Sequence, residues 1–248
     1  MSSAPLLYVC VRPQKGAAAA EYESFRAATR LETDGIGQHD LVRAPLPDDV
    51  FERYGGFVVG GSPFNLTDPE STKTDVQRRL EADLERIARA AADDRTAAMF
   101  TCYGIGVVTR MLGGDVSRAY PEDTGPVNVE LTADGQSDRL FGGLAHRFTA
   151  LTAHKEGAGA VPTGAVLLAT NAGCPVQAYR VGERLYATQF HPEPTAAAFT
   201  ERMAVYRDDG YFAASDYDAI AARVLAASIT EPARLLRAFA KAFGPQEA

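Results

Sequence analysis

Residues 96–106 constrain this chain more than any other stretch. Thr96-Ala97-Ala98-Met99-Phe100-Thr101 is short and apolar, as a buried strand is. It passes directly into Cys102-Tyr103-Gly104-Ile105-Gly106, where a helix over 103–112 opens, ending at Gly113-Gly114. The alternation recurs upstream. A strand over 6–11 leads to a helix over 18–30, and a second short strand is expected over 41–44. Phe57-Val58-Val59 is an apolar run closed by the sharp loop Gly60-Gly61-Ser62-Pro63. The helix that follows places Val76, Leu80, Leu84, Ile87 and Ala91 on one face, with Arg78, Arg79, Glu81, Glu85 and Arg86 on the other. Strands and helices in this order imply right-handed crossovers and a mainly parallel sheet.

The middle of the chain changes character. Short strands are expected over 127–131, 147–151, 165–169, 176–181 and 185–189, the last two forming a hairpin about Gly182-Glu183. Beyond Pro194 the pattern turns helical. Ser215 and Thr230 are expected helix N-caps, with Asp218 and Pro232 in the turns that follow. Leu235, Leu236, Phe239 and Phe243 give the last helix an apolar face, which must dock on the domain or on another subunit. The expectation is an α/β/α sandwich of three layers over 1–195 with a helical extension over 196–248.

A chain of 248 residues is ample for such a core. Its net charge of −7 argues against nucleic acid or an anionic membrane as the main partner. No stretch is long and apolar enough for a transmembrane helix, and the N-terminal residues lack the pattern of a signal peptide, so the cytoplasm is the expected compartment. Cys10, Cys102 and Cys174 are too few and too scattered for a disulfide framework or a zinc site.

A lone cysteine is often an inert core residue. Cys102 differs because it stands on a strand-to-helix turn, the setting of a nucleophile elbow. The turn lifts the side chain out of the sheet. The following helix offers free N–H groups and the positive end of its dipole, which favour a thiolate. Gly104 and Gly106 permit the tight turn and a close approach by substrate. Cys10 and Cys174 have no such setting. A thiol nucleophile needs a base, and of four histidines His191 stands directly after a strand, in Gln189-Phe190-His191-Pro192-Glu193. Glu193 is placed to orient its ring as the third member of a triad. Gly61 N–H, on the glycine loop, and Tyr103 N–H are the candidate oxyanion donors.

In this order the segments resemble the class I (triad) glutamine amidotransferases. The matching stretches are Tyr54-Gly55-Gly56-Phe57-Val58-Val59-Gly60-Gly61-Ser62-Pro63, Cys102-Tyr103-Gly104 with Leu112-Gly113-Gly114, and Tyr186-Ala187-Thr188-Gln189-Phe190-His191-Pro192-Glu193. Ala153-His154-Lys155-Glu156 is similar to the family segment before the last hairpin. The likeness spans about residues 5–195 and is nearest in flavour to the glutaminase domain of GMP synthases. It implies a flavodoxin-like sandwich with Cys102 as nucleophile, His191 as general base and acid, and Glu193 as orienter. It also implies substrate contacts at Gly60, Ser62, Gly104, Gly106, His154 and Lys155.

The implied reaction is hydrolysis of a glutamine side-chain amide through a γ-glutamyl thioester, with no metal or organic cofactor. The ammonia would go to an acceptor enzyme on a separate chain, since no phosphate-loop motif is present. Self-association is left open. Two departures stand out: Phe100 replaces the first glycine of the family's elbow and Gly106 its glutamine. Gly106 removes a polar substrate contact worth on the order of 1 kcal/mol. Two other readings therefore stay open: a hydrolase of a different γ-glutamyl compound, and a weakly catalytic relative that acts by binding.

Overall fold

The computed structural model describes residues 4–207 and 210–245. Residues 1–3 and 246–248, the outer ends of the two expected units, lie outside the description, as do 208–209. Nine strands form one sheet: β1 (Leu6–Cys10), β2 (Ile36–Asp40), β3 (Gly56–Val59), β4 (Ala97–Thr101), β5 (Glu122–Leu131), β6 (Arg147–His154), β7 (Ala165–Thr170), β8 (Ala178–Val181) and β9 (Leu185–Thr188). Their order is β2-β1-β3-β4-β9-β8-β7-β5-β6. The first five are paired in parallel and the remaining pairings are antiparallel, so β5 and β8 alone oppose the common direction. The result is an α/β fold on a large mixed sheet.

The helices are α1 (Lys15–Thr29), α2 (Val50–Arg53), α3 (Asp75–Ala92), α4 (Tyr103–Met111), α5 (Ala133–Ser137), α6 (Ala196–Val205), α7 (Tyr217–Ala226) and α8 (Glu231–Phe243). The two-residue period of a strand divides the sheet's side chains between its faces. Leu7 and Val9 of β1 join Phe57, Val59 and Phe100 beneath Leu80, Leu84 and Ile87 of α3 and Val107 of α4. Leu6 and Tyr8 meet Phe25 of α1 and Leu235, Leu236 and Phe239 of α8 on the other face. The apolar face of α8 is thus docked on the same chain. A smaller cluster of Leu151, Phe199, Met203 and Val224 ties α6 and α7 to β6.

Two local expectations need correction. The second strand covers Ile36–Asp40, not 41–44. Its Gly-Gln-His polarity is tolerated because β2 is the outermost strand. Asp40 ends it: its carboxylate accepts the Val42 N–H and its carbonyl those of Arg43 and Ala44, which makes 41–44 a turn. Ser215 is not a cap either. Helix α7 starts at Tyr217, and the Ser215 hydroxyl donates to the Asp216 carboxylate instead. Thr230 does precede α8, and Pro232 lies in its first turn. The Thr230 backbone is helical, however, not extended, and its side chain makes no cap bond.

Candidate active site

Cys102 occupies the tight turn between β4 and α4 with φ +50° and ψ −104°. A side-chain-bearing residue held there carries strain of about 1–3 kcal/mol, tolerated only where the surroundings enforce it. Here the Cys102 N–H donates to Thr188 O of the neighbouring β9 at 2.8 Å. Phe100 lies directly under the first turn of α4, and a Cβ on Gly104 would come within 3.0 Å of it. The departure at Phe100 therefore packs against a glycine that leaves it room. The thiol is 7% exposed, at the C-terminal edge of the parallel strands, where α/β sheets place their sites.

His191 follows β9 and is pinned by its own N–H, which donates to Leu151 O at 2.9 Å. Its Nδ1 lies 2.9 Å from Glu193 Oε1, and both side chains are buried. The Cys102 thiol interacts with the same imidazole. Burial opposes charge on the ring, but the Glu193 carboxylate and Cys102 outweigh it and raise the His191 pKa to about 9. Glu193 is also opposed by burial, yet its imidazole and guanidinium neighbours hold it well below the usual carboxylate range. His191 and Glu193 are thus hydrogen-bonded to each other, and Cys102, whose thiol lies 3.9 Å from Ala153 O, borders the same cavity as His191.

Four residues that the sequence pattern did not single out complete the arrangement. Arg202 of α6 bridges Glu193 Oε1 at 2.6 Å and Glu21 Oε1 at 3.2 Å. Arg12 Nε bonds Glu21 Oε1 at 2.8 Å, and Tyr8 OH donates to Glu21 Oε2 at 2.7 Å. The signal for Glu21 was present. It falls in the buried stripe Ala17, Glu21, Phe25, Ala28 of α1, where a carboxylate needs a cationic partner. Glu21, His191 and Glu193 come close enough together to ligate a metal ion, but guanidinium groups already neutralise both carboxylates.

The glycine loop serves this network. A Cβ on Gly60 would collide with the Glu21 carboxylate, and one on Gly61 would lie 2.7 Å from His191 and 3.4 Å from Cys102 Cβ. The Gly61 N–H, expected to face an oxyanion, instead donates to Glu21 Oε1 at 3.2 Å. Tyr103 N–H is in the open first turn of α4, as expected. The Tyr103 hydroxyl points away and donates to Glu81. The Ser62 hydroxyl donates to Val11 O.

Cys102 borders two cavities. One is lined by Ser62, Leu66, Tyr103, Gly106, Lys155 and Glu156, and His154 also borders it. Leu66 Cδ1 lies 2.5 Å from where a Gly106 Cβ would sit, so Leu66 fills the space a longer residue at 106 would need. The His154 ring is fully engaged, by Glu156 O and by Glu122 Oε2, each at 2.8 Å. It shapes the wall. Lys155 Nζ lies over the Tyr211 ring, 4.7 Å from its centroid. The second cavity is lined by His191, Thr124, Phe199, Arg202, Met203 and Phe212 among others.

With fold and site in view, the likeness to known proteins becomes specific. Residues 50–205 match the family model of glutamine amidotransferase class-I, and the chain belongs to that family. It is 30% identical over 139 residues to a GMP synthase [glutamine-hydrolyzing] of Acetivibrio thermocellus, matching 56% of this chain and 24% of the synthase. The chain thus spans about a quarter of the length of such a relative. It is 26% identical to Gamma-glutamyl peptidase 3 of Arabidopsis thaliana over 63% of each chain. The solved structure of a glutamine amidotransferase from Thermotoga maritima shares the fold with a TM-score of 0.76 at 17% identity, covering 97% of this chain and 98% of that one. None of the described helices is long and apolar enough to cross a membrane.

Proposed function

We propose that the protein hydrolyses a γ-glutamyl amide, glutamine or a glutamine-like small molecule, through a thioester on Cys102. One observation carries the reading. A cysteine held at positive φ on a strand-to-helix turn faces an imidazole whose other nitrogen is fixed by a buried, arginine-paired carboxylate. The Cys102 thiolate attacks the γ-carbonyl carbon and His191 gives a proton to the departing nitrogen. Water, deprotonated by the same ring, then releases glutamate. Tyr103 N–H stabilises the oxyanion. Gly61 N–H joins it only if the loop amide turns away from Glu21, a rotation that a glycine permits. The acyl group lies in the cavity of Ser62 and Gly106, with His154 and Lys155 shaping it; Gly60 and Gly104, also expected at the substrate, pack instead against Glu21 and Phe100. Residues 1–195 carry this chemistry, and the helices of 196–248 brace it through Arg202.

A second reading shares the triad but changes the substrate. Leu66 over Gly106 gives an apolar wall where the family offers a glutamine, which favours a γ-glutamyl compound other than free glutamine. If glutamine is the substrate, a synthetase subunit on another chain takes the ammonia. The test is labelling of Cys102 by a glutamine-mimicking chloroketone, together with ammonia release from glutamine. Labelling that disappears in His191→Ala supports the triad. An inert Cys102 in the wild type sinks it and leaves a binding role.

A further inference from the structure

The bond from Gly61 N–H to Glu21, at 3.2 Å, leaves the oxyanion one donor short. Of the expected pair only Tyr103 N–H stays open. The same glycine marks where a replacement lies. A Cβ on Gly61 would come 2.8 Å from Arg12 Nη2, 2.7 Å from His191 Cε1 and 3.4 Å from Cys102 Cβ. The space beside Gly61 is therefore shared by a guanidinium, the base and the nucleophile. Arg12, Cys102 and His191 also line one cavity together.

The other arms of Arg12 are committed. Its Nε donates to Glu21 Oε1 at 2.8 Å and its Nη1 to Tyr206 OH at 3.0 Å. Two bonds on a planar, rigid fork fix the direction of the third nitrogen. That nitrogen, Nη2, makes no hydrogen bond among the described residues. Arg202 Nη2 is unpartnered too, but it is fully enclosed, whereas Arg12 lines the cavity and is 6% exposed. A buried donor aimed at the reacting groups, with no partner of its own, calls for a ligand atom. Its positive charge suits an oxygen that becomes negative during the reaction.

From this geometry we infer that Arg12 is a catalytic residue, whose Nη2–H is donated to the oxyanion in place of the Gly61 N–H. This rests on the thioester reading above and names a further residue of that site. As the Cys102 sulfur bonds to the γ-carbonyl carbon, the π pair of the carbonyl moves to its oxygen. Arg12 Nη2 and Tyr103 N–H hold that oxygen. The pair then returns, the C–N bond breaks, and the nitrogen leaves with the His191 proton. Water gives one proton to His191 and its hydroxyl to the same carbon, and a second oxyanion forms on the same two donors. Its collapse breaks the C–S bond, the thiolate returns, and the new acid ionises to glutamate. A charged donor in a site closed to water stabilises such an oxygen more than a neutral amide does. Gly61 then has no need to turn, and its N–H stays on Glu21.

The experiment uses Arg12→Lys in the full chain. Lysine is shorter, so its ammonium meets Glu21 about where Nε does and nothing takes the place of Nη2. Two rates are compared with the wild type. One is hydrolysis of glutamine or of γ-glutamyl-p-nitroanilide, whichever the wild type turns over faster. The other is alkylation of Cys102 by iodoacetamide, followed by mass spectrometry, which needs the thiolate but forms no oxyanion. The expected result is a kcat lower by about 10²-fold, as when one oxyanion donor is removed, with KM within about threefold. The alkylation rate stays within about threefold, at an unchanged pH profile, because the thiolate has lost nothing. An unchanged kcat overturns the inference and leaves the thioester standing. So does a rise in KM alone, which makes Arg12 a contact of the bound substrate. A fall of both rates together overturns it as well, since Arg12 then supports the thiolate. If Arg12→Lys does not fold, Arg12→Gln carries the same comparison, because Arg202 still pairs with Glu21 at 3.2 Å. A wild type that turns over neither substrate overturns the thioester reading itself, and the inference with it.

Discussion

Two buried imidazole–carboxylate pairs lie in different halves of the sheet. In the parallel half, His191 Nδ1 meets Glu193 just beyond β9. In the antiparallel half, His154 Nε2 at the end of β6 meets Glu122 at the start of β5, and register places them opposite each other. The two bonds are of nearly equal length, 2.9 and 2.8 Å. What separates the pairs is everything else around them. The second nitrogen of His154 is bound to Glu156 O, and Glu122 also accepts from Asn171 and Gln177, each at 2.6 Å. That pair is closed. The second side of His191 is left to a thiol, and Glu193 is held from behind by a guanidinium. A histidine beside a carboxylate becomes a general base only when one ring nitrogen remains for the reaction.

The largest test of the difference is removal of the chemistry. Cys102→Ala, or His191→Ala, is expected to lower kcat/KM on the order of 10⁴-fold or more, as when members of a unit acting together are removed. The check is steady-state hydrolysis of the best γ-glutamyl substrate. A variant of either residue that keeps a tenth of the activity breaks the comparison at its root.

Glu193→Gln keeps the shape and removes the charge. A loss of about 10²–10⁴-fold in kcat/KM is expected from the loss of a fixed, charged orienter. The pH profile is the sharper readout. Burial and Arg202 both lower the His191 pKa, and the Glu193 carboxylate is the main influence raising it to about 9. Wild-type activity should therefore fall as pH rises through about 9, where the imidazolium loses the proton the leaving nitrogen needs. In Glu193→Gln that limb moves to lower pH. Stability follows the same sign. A raised folded pKa contributes fully below the unfolded histidine value, and its contribution disappears as pH rises through about 9.

Glu122→Gln tests the closed pair. The carboxylate accepts from His154, Asn171 and Gln177, and an amide would turn a donor toward donors. About 2 kcal/mol of stability should be lost, or roughly 4–8 °C in Tm. Turnover per folded molecule should be little changed. Burial works against the Glu122 charge, but its three donors hold its pKa below the ordinary value. Its contribution is therefore present above the unfolded carboxylate pKa and is lost as pH falls through the folded one. Acid unfolding of Glu122→Gln should be less steep than that of the wild type. A large loss of kcat at unchanged Tm would mean that this pair also touches the reaction.

Much of the open pair was legible in the sequence because local patterns encode it. The apolar run into Cys102 and the spacing of His191 and Glu193 behind β9 are short-range features. The α3 stripe was equally plain, since Leu80, Leu84 and Ile87 recur at helical period. What the sequence concealed depends on contacts between distant segments. Arg202 is 9 residues from Glu193 but 181 from Glu21, and no pattern announces that link. The commitment of Gly61 N–H to Glu21 spans 40 residues and changes the expected oxyanion donor. The β2 error has the opposite origin. An edge strand needs no second neighbour and so no continuous apolar run, and hydrophobicity pointed to the turn beside it.

The smallest expected effect probes the third support of the open pair. Glu193 is held by Arg202 only because α6 is anchored where it is. That helix starts at Thr195, whose hydroxyl accepts the Ala198 N–H at 3.2 Å. Thr195→Ala leaves that donor without a side-chain acceptor, and loss of such a cap costs about 1 kcal/mol, or roughly 2–4 °C in Tm. Arg202 lies nearly two turns further on, and Phe199 and Met203 bury the same helix against Leu151. Those contacts should keep the guanidinium on Glu193 when the cap frays. Tm should fall while kcat/KM and its limb near pH 9 stay within about twofold and a few tenths of a pH unit, a difference well under the RT scale of one charge contact. If the limb instead moves up as Tm falls, the position of Arg202, whose charge lowers the His191 pKa, depends on the first turn of α6. The open pair would then draw its pKa from the helix as a whole, which nothing in the closed pair does.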